Sequence, residues 1–325
     1  MRYLLYGCSI LLAGSALAAQ ERPSDTLLTV NRYLDYETAG QPVPSPDGSQ
    51  VIWSRSSVDR MKDRFQSSLW LMNADGTRQR FLVQGSSAVW SPDGTRIAYL
   101  AEGEPGGNQI WVRYMDAEGA TTQITRELKA PGNIRWSPDG KWIGFSIFVP
   151  TPASWKIDLP SAPAGSEWTK TPRIIESLHY RADRQGWLED GNLHLFTVPA
   201  TGGTPRAITK GPWNVGARGI GLPGGVSWDW LPDGKAVVVE GNDDPKADMQ
   251  RLRSDIFRVD LATGEKRRLT DGAGFWSSPQ VSPDGRLIAF LGRSNPEDTY
   301  RTSVLHTMAL DGSGLSALTS SLDRD

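Results

Sequence analysis

The stretch RWSPDGKWIGFS, from Arg135 to Ser146, contains a four-residue turn that recurs along the chain. Ser, Pro, Asp and Gly in this order are preferred at the four corners of a type I turn, and Gly can take the positive φ that leads into the next strand. Ile134 and Trp136 precede the turn, and Ile143 and Phe145 follow it with the same two-residue spacing. This period is typical of half-buried strands, so the stretch predicts a β-hairpin with SPDG at its tip.

The SPDG turns recur with a regular spacing. Their aspartates, which we expect to be structural, are Asp47, Asp93, Asp139, Asp233 (in the variant LPDG) and Asp284, at spacings of 46, 46, 94 and 51 residues. A second hairpin pattern with a Gly-containing turn lies between the copies, as in LWLMNADGTRQRFL (Leu69–Leu82). Two hairpins per period give four short strands, which is the signature of a propeller blade. The sequence therefore predicts an all-β fold, a β-propeller of four-stranded blades.

Five blades can be recognised in a propeller domain that spans residues 20–325, and residues 27–36 could add one strand to a sixth. The predicted blades lie near residues 45–85, 91–126, 137–210, 231–271 and 282–320. We expect this set of blades to be incomplete, with exposed apolar faces on the terminal blades. The third blade carries a large insertion at residues 149–192, and a shorter insertion lies between Lys210 and Trp230.

The strand order assigns the two insertions to one face of the propeller. Because neighbouring strands are antiparallel, the second turn of every blade lies opposite its SPDG turn. The second turns are long and charged, and loops on rigid scaffolds commonly carry function. We therefore expect binding on that face, which we call the loop face; its loops are centred on Met61, Gly106, Arg181, Pro245 and Pro296.

The first nineteen residues predict a secretory signal peptide. Arg2 precedes an apolar run from Tyr3 to Leu17, and Ala16 and Ala18 form an A-x-A cleavage site. We expect cleavage after Ala18 or Ala19, a periplasmic or secreted location in a bacterium, and no membrane attachment after cleavage. The net charge of -2 and pI near 6.0 argue against a nucleic-acid partner. The sequence predicts no cofactor and no metal site.

The SPDG blades, with Leu178–Gly203 and Asn31–Gly48, resemble the propeller of secreted bacterial serine peptidases of the prolyl oligopeptidase family, in the dipeptidyl and acylaminoacyl branch. The resemblance covers essentially the whole mature chain. It implies a propeller that gates access to an α/β-hydrolase domain, with a peptide substrate and that catalytic domain as partners. In dipeptidyl peptidases, propeller carboxylates hold the substrate's amino terminus; the candidate substrate-binding residues here are Arg181, Asp183, Glu189 and Asp190.

The chain lacks the sequence features of catalysis, so we expect no peptidase activity from it alone. The nucleophile elbow G-x-S-x-G does not occur, and its three histidines, His179, His194 and His306, have no activated nucleophile beside them in the sequence. Arg181 and Asp183 could equally brace the insertion through a mutual ion pair. The acidic residues Asp243, Asp244 and Asp248 could hold Ca²⁺ but are more typical of a solvated connector.

Two other functions remain open from the sequence. SPDG repeats also occur in the TolB propeller of the periplasmic Tol system, so a stand-alone propeller that binds a periplasmic protein is the main alternative. A propeller enzyme with its own pocket chemistry is less favoured, because no cluster of carboxylates or histidines recurs near the mouth of the disc.

Overall fold

The computed structural model of the chain describes residues 29–152, 160–169, 172–183, 185–216, 218–219, 222–223, 226–249, 253–295 and 301–322. These residues form five antiparallel sheets, two small hairpins, one short α-helix and one 3₁₀-helix. The predicted signal peptide lies outside the described residues. Within the described residues, no helix is both long and apolar enough to span a bilayer.

The first two sheets follow one another along the chain. After α1 (Val30–Leu34), sheet 1 contains β1 (Thr38–Pro44), β2 (Gln50–Asp59), β3 (Arg64–Asn73) and β4 (Arg80–Gln84). Sheet 2 contains β5 (Ser86–Trp90), β6 (Arg96–Glu102), β7 (Asn108–Tyr114) and β8 (Thr121–Gln123). Each strand pairs with its sequence neighbour in an antiparallel register, which is a simple meander of four strands.

The remaining three sheets include the insertions. Sheet 3 contains β9 (Gly132–Trp136) and β10 (Trp142–Pro150), is interrupted by the hairpin β11 (Arg181–Ala182) and β12 (Gly186–Trp187), and continues with β13 (Gly191–Pro199) and β14 (Arg206–Ala207). Sheet 4 contains β15 (Asn214–Val215), then the separate hairpin β16 (Arg218–Gly219) and β17 (Leu222–Pro223), then β18 (Trp228–Trp230), β19 (Ala236–Asn242), the 3₁₀-helix (Ala247–Met249), β20 (Asp255–Asp260) and β21 (Lys266–Arg268). Sheet 5 contains β22 (Phe275–Val281), β23 (Leu287–Arg293), β24 (Val304–Ala309) and β25 (Ser316–Ala317).

The all-β prediction is confirmed, and four of the five sheets have the predicted four strands; in sheet 4, β15 and β18 both pair with β19, so this sheet has five. Each sheet begins ahead of the predicted blade. Sheet 1 begins at Thr38, for example, whereas the predicted blade begins at residue 45. The difference arises because the strand that leads into each SPDG turn is the first strand of the same sheet. The large insertion occupies residues 151–190, between β10 and β13, within the predicted range of 149–192.

The SPDG turns have the geometry that their residues predict. In sheet 3, the Gly140 N–H donates to the Ser137 carbonyl at 2.9 Å, and Gly140 has a φ of 66°. The Asp139 carboxylate accepts hydrogen bonds from the Ser137 hydroxyl at 2.6 Å and from the Lys141 N–H at 3.1 Å. The same bonds recur at Asp47, Asp93 and Asp284, whereas Asp233 lacks the hydroxyl partner because Leu231 replaces serine. These aspartates are structural residues of the turns.

A threonine ends the second hairpin in four of the five sheets, sheets 2 to 5. The hydroxyl oxygens of Thr125, Thr209, Thr270 and Thr319 each accept a hydrogen bond from a strand N–H at 2.8–3.1 Å. A buried N–H without a hydrogen-bond partner is costly. The threonine hydroxyl therefore accepts from an N–H of the third strand at the point where the short fourth strand ends and no longer provides a carbonyl.

Tryptophans of the repeat join successive sheets through their indole N–H groups. The indole N–H of Trp90 donates to the Val43 carbonyl of sheet 1 at 3.1 Å, and that of Trp136 donates to the Val89 carbonyl of sheet 2 at 3.1 Å. Trp228 in sheet 4 donates in the same way to Asn133 of sheet 3 at 2.9 Å. These bonds connect the first strands of neighbouring sheets.

The hydrophobic core is divided among the spaces between successive sheets. Between sheets 1 and 2, for example, Ile52 and Leu69 pack with Ile97 and Tyr99, and all four side chains are nearly fully buried. Three further clusters fill the spaces between sheets 2 and 3, 3 and 4, and 4 and 5. On the other face of sheet 5, Leu287 and Leu291 are 48% and 40% exposed. These two leucines leave part of this face of sheet 5 apolar and exposed.

Candidate functional site

The loops and the SPDG turns lie at opposite ends of the strands. The loops centred on Met61, Gly106, Arg181 and Pro245 connect the second strand of a sheet to the third, whereas each SPDG turn connects the first strand to the second. The parity prediction is therefore confirmed for these four loops. The fifth loop, centred on Pro296, lies partly outside the described residues.

The large insertion presents a small hairpin on the loop face. Arg181 pairs with Trp187 across β11 and β12, and the Tyr180 and Trp187 rings lie 5.6 Å apart. The guanidinium groups of Arg173 and Arg181 lie over the Trp187 ring at 5.0 and 5.9 Å from its centroid. Trp187 is 49% exposed, so the hairpin offers an aromatic surface flanked by two cations.

The four candidate residues lie along this hairpin, but they do not form one cluster. Arg181 and Asp183 line a shallow depression at the hairpin turn. Glu189 instead forms an ion pair with Lys129, which joins the insertion to the loop that follows sheet 2. Asp190 accepts a hydrogen bond from the Ser177 hydroxyl at 3.2 Å. Among the described residues, no ion pair joins Arg181 to Asp183, so the bracing alternative is not what holds the hairpin.

Asp248 of the 3₁₀-helix ties the insertion to sheet 4. Its carboxylate oxygens contact the Nδ1 atom of His179 at 2.6 Å and accept a hydrogen bond from the Leu178 N–H at 2.5 Å. The short strand β16 of the second insertion also lies against this helix. The two insertions therefore converge beside Asp248. His179 is part of this structural contact, and its partner is Asp248 rather than the nearby Asp183.

The acidic residues around position 245 have separate partners. Asp243 forms ion pairs with Lys266, at 2.7 Å, and with Arg268; these cations, despite the cost of burial, hold the pKa of Asp243 below its ordinary value. The Asp244 carboxylate accepts a hydrogen bond from the Lys246 N–H at 2.8 Å. In the part of the chain that the structure describes, no three acidic, histidine or cysteine side chains are grouped so as to hold a metal ion.

The other two histidines have structural surroundings. The His194 ring is hydrogen-bonded to the Thr209 hydroxyl at 3.1 Å, and burial lowers the pKa of this ring. His306 lies beside Trp276 and Phe290, with ring centroids 5.0 and 5.6 Å away, and its Nδ1 is 2.8 Å from the Val304 carbonyl. Neither ring contacts a serine hydroxyl among the described residues.

Two polar contacts between sheets were not predicted from the sequence. Glu240 on β19 is 3% exposed, and its carboxylate accepts hydrogen bonds from the N–H groups of Ser227, at 3.0 Å, and Ser278, at 2.9 Å. Burial raises the pKa of Glu240 to about 7. Asp229 connects Arg135 of sheet 3, at 3.5 Å, with the Val281 N–H of sheet 5, at 2.9 Å. A charged residue within the apolar run AVVVEGN was the one available signal for Glu240.

Comparison with curated proteins finds bacterial peptidases, among them two dipeptidyl-peptidases, while no family model matches the chain. The chain is 26% identical over 305 residues to dipeptidyl-peptidase 5 of Porphyromonas endodontalis, which covers 90% of this chain and 42% of that protein. It is also 26% identical over 303 residues to dipeptidyl-peptidase 5 of Porphyromonas gingivalis, over 87% of this chain and 41% of that protein. The chain thus spans about two-fifths of the length of these relatives.

Solved structures with the same fold include peptidases and TolB. An acylaminoacyl peptidase in complex with Z-Gly-Gly-Phe-chloromethyl ketone superimposes with a TM-score of 0.66 at 14% identity, over 90% of this chain and 41% of that chain. The β-propeller domain of the Trilobed protease from Pyrococcus furiosus gives 0.54 at 14% identity, over 89% and 72%. TolB from Acinetobacter baumannii gives 0.50 at 16% identity, over 85% and 53%.

The fold and its repeated turns define a β-propeller built from SPDG blades. Among such propellers, the chain is similar over about 90% of its length to the propeller portion of peptidases, as the two dipeptidyl-peptidases show. The predicted resemblance to prolyl oligopeptidase-family propellers is therefore confirmed. The comparisons support the interpretation that this chain is the propeller portion of a peptidase-family protein.

Proposed function

We propose that this chain is the substrate-gating propeller of a secreted, prolyl oligopeptidase-family serine peptidase that acts on peptides. The observation that carries the proposal is the similarity to dipeptidyl-peptidase 5, which extends over 90% of this chain but only 42% of the relative. A catalytic α/β-hydrolase domain is the proposed partner of the propeller. Export by the N-terminal signal peptide and a periplasmic or extracellular location are part of the same proposal.

The loop face is the proposed peptide-binding surface. Its hairpin combines an exposed indole at Trp187 with carboxylates at Asp183 and Asp190. An ammonium group forms strong, charge-assisted hydrogen bonds with carboxylates, and an aromatic surface suits an apolar side chain. Because Asp183 and Asp190 do not form one cluster, one of the two carboxylates would hold the amino terminus of a peptide, and Trp187 would pack against its first side chain. Asp248 and Lys129 keep the insertion in place through His179 and Glu189.

Binding of a peptide with a free amino terminus is the direct test. We expect the purified chain to bind Gly-Phe-7-amido-4-methylcoumarin, measured by fluorescence anisotropy, and to bind the N-acetylated compound at least fivefold more weakly. The double variant Asp183→Asn, Asp190→Asn should lose at least the same factor, because an amide replaces each charged acceptor. Equal binding of both compounds would contradict the proposed role of the carboxylates.

Glu118 offers a matched control for this experiment. It is an exposed carboxylate in the turn between β7 and β8, on the opposite face of the disc. Glu118→Gln removes one charge from the chain but leaves the loop face unchanged, so its affinity for the free peptide should equal that of the parent chain.

The chain by itself is expected to be inactive, because it lacks the G-x-S-x-G elbow. We expect no hydrolysis of aminoacyl or dipeptidyl chromogenic substrates and no labelling by a fluorophosphonate probe, with a known serine hydrolase labelled in parallel. Stoichiometric labelling of any serine would overturn this expectation.

The second candidate is a stand-alone, TolB-like propeller that binds a periplasmic protein. The likeness to TolB from Acinetobacter baumannii supports this candidate at the level of the fold. The two candidates differ in their ligand: peptide binding that depends on a free amino terminus favours the peptidase propeller. If the chain ignores the peptides but forms a stoichiometric complex with a purified Tol-system protein, the second candidate is correct.

A further inference from the structure

We call the space between two successive sheets a seam. The SPDG turns of the two sheets lie close together at three of the four seams. A Cβ atom built on the turn glycine would lie 3.6 Å from the proline of the preceding turn at Gly94 and Gly285, and 3.7 Å from it at Gly140. On Gly234, by contrast, such an atom would meet nothing within 4 Å. The seam between sheets 3 and 4 is therefore open on the SPDG face, although the same turn is present on both sides.

The seam between sheets 2 and 3 is closed on the SPDG face and the seam between sheets 3 and 4 is open. The residue three positions after the turn aspartate explains this difference. In sheet 2 this residue is Arg96, whose guanidinium lies over the Trp136 ring at 4.9 Å and donates to the Gly140 carbonyl at 3.1 Å. It thereby fills the seam between sheets 2 and 3. In sheet 3 the equivalent residue is Trp142, which is 41% exposed and has no such bond to Gly234 in the described part of the chain.

The open seam forms a cleft of about 250 Å³ between the two turns. Its apolar walls include Trp142, Trp230, Pro232 and Leu261. One charged group at the cleft is left without a partner. Within the described residues, the guanidinium of Arg206, which lines the cleft, has neither a hydrogen bond nor an ion pair.

We infer that this cleft binds a small carboxylate carried next to an apolar side chain. The indole of Trp142 and the rings of Pro138 and Pro232, which also line the cleft, suit an apolar group, and a guanidinium is the side chain best suited to pair with a carboxylate. The carboxylates of Asp139 and Asp233 also line the cleft, and the hydrogen bonds that each accepts from its own turn do not cancel its charge, so the carboxylate of the ligand has to lie beside Arg206 and away from the two turns. Pockets for drug-sized ligands are about 300–1,000 Å³, so this cleft is the size for one residue or a fragment.

Two kinds of molecule carry a carboxylate next to an apolar side chain: a free N-acyl amino acid and the C-terminal residue of a peptide. The cleft lies on the face opposite the insertion, so this site is independent of the proposed peptide-binding surface. N-acetyl-leucine and N-acetyl-Gly-Gly-Leu serve as probes for the two sources. N-acetyl-leucinamide is the matched ligand without the anion.

The test is a titration of the chain with these probes, followed through its indole N–H signals in ¹H–¹⁵N NMR spectra. We expect N-acetyl-leucine to shift the Trp142 signal, assigned with Trp142→Phe, in a saturable way, and the amide to bind at least tenfold more weakly. A tighter complex with the tripeptide would identify a peptide C-terminus as the source, and equal affinity would identify the free amino acid. Equal binding of acid and amide would overturn the inference.

Two variants locate the site, and one controls for charge. Trp142→Arg places at this seam an arginine like the one that closes the preceding seam, so it should abolish binding while the chain stays folded. Because this variant lacks the Trp142 indole, its binding is followed through the indole signal of Trp230, which also lines the cleft. Arg206→Gln should weaken binding of N-acetyl-leucine at least tenfold and leave the weak binding of the amide unchanged. Arg78→Gln removes an exposed cation from the same face of the disc, in sheet 1, and should have no effect. Undiminished binding by folded Trp142→Arg would exclude the cleft as the site.

Discussion

Replacing Trp228 with alanine is expected to lower the free energy of unfolding by about 3–5 kcal/mol, the range for truncating a buried aromatic residue. Trp228 is 0% exposed, and its indole N–H donates to the Asn133 carbonyl of sheet 3 at 2.9 Å. The variant would lose both the packing of the ring and this hydrogen bond between sheets. It would also leave the Asn133 carbonyl without its donor.

The surroundings of Trp228 explain why replacing this single residue should lower the free energy of unfolding by so much. A Cβ atom built on Gly144 of β10 would lie 2.3 Å from Cη2 of Trp228 and 3.0 Å from Cζ2 of Trp230. The indole therefore packs directly on the backbone of sheet 3 where no side chain intervenes. Because paired strands cannot easily move to fill the vacated space, the alanine variant should retain a cavity.

Urea unfolding followed by far-UV circular dichroism measures this effect. Trp187→Ala is the matched control, since Trp187 is 49% exposed and lies in the insertion; we expect a change within about 0.5 kcal/mol there. A loss below about 1 kcal/mol for Trp228→Ala would show that the junction of sheets 3 and 4 contributes little to stability.

The sequence was sufficient to predict the hairpins, the four strands of most sheets and the face on which the loops lie. These features depend on residues close together in the chain: the Ser137–Asp139–Lys141 contacts span four positions, and strand alternation follows from local period. The blade boundaries were shifted because a repeat can be divided at any point along its period. The predicted SPDG hairpin already pairs the strand before the turn with the strand after it, but the predicted blade ranges were counted from the turn and left the first strand out.

The candidate site was predictable only in part, because its geometry depends on contacts between distant residues. The insertion was placed correctly, but the partner of His179 is Asp248, 69 residues further along the chain. Likewise, Glu189 looked available for an amino terminus, yet Lys129, 60 residues before it, neutralises its charge. Nothing in the local pattern of either residue specifies its partner.

The second large effect is expected from Glu240 as a function of pH. Its carboxylate is 3% exposed, and burial raises its pKa from an ordinary 4.5 to about 7 despite two backbone hydrogen bonds that favour the charged form. In the unfolded chain the group ionises near pH 4.5, whereas in the folded chain it keeps its proton until about pH 7. Unfolding between these values therefore releases a proton, so stability falls as pH rises; the total loss is about 3 kcal/mol, at 1.36 kcal/mol per unit.

The turn aspartates act in a separate pH window with the opposite sign. Hydrogen bonds from Ser45 and Ser49 lower the pKa of Asp47 to about 2, and hydrogen bonds from Ser91 and Thr95 do the same for Asp93. A lowered pKa contributes stability that is present above the unfolded value of about 4 and is lost as the pH falls toward 2. A change in stability between pH 5 and pH 8 therefore does not come from these turns.

Glu240→Gln should remove the loss of stability between pH 5 and pH 8, because an amide of similar shape does not ionise in this range. Its oxygen can still accept from one of the two N–H groups of Ser227 and Ser278, while its NH₂ group faces the other, so the variant should be less stable than the parent chain at pH 5. The decisive quantity is the slope of unfolding free energy against pH, measured by urea unfolding at several pH values. Glu265→Gln, which replaces an exposed carboxylate in the turn before β21, should keep the parent slope. If the slope of Glu240→Gln equals that of the parent chain, Glu240 is ionised in the folded protein below pH 7 and the proposed proton linkage is wrong.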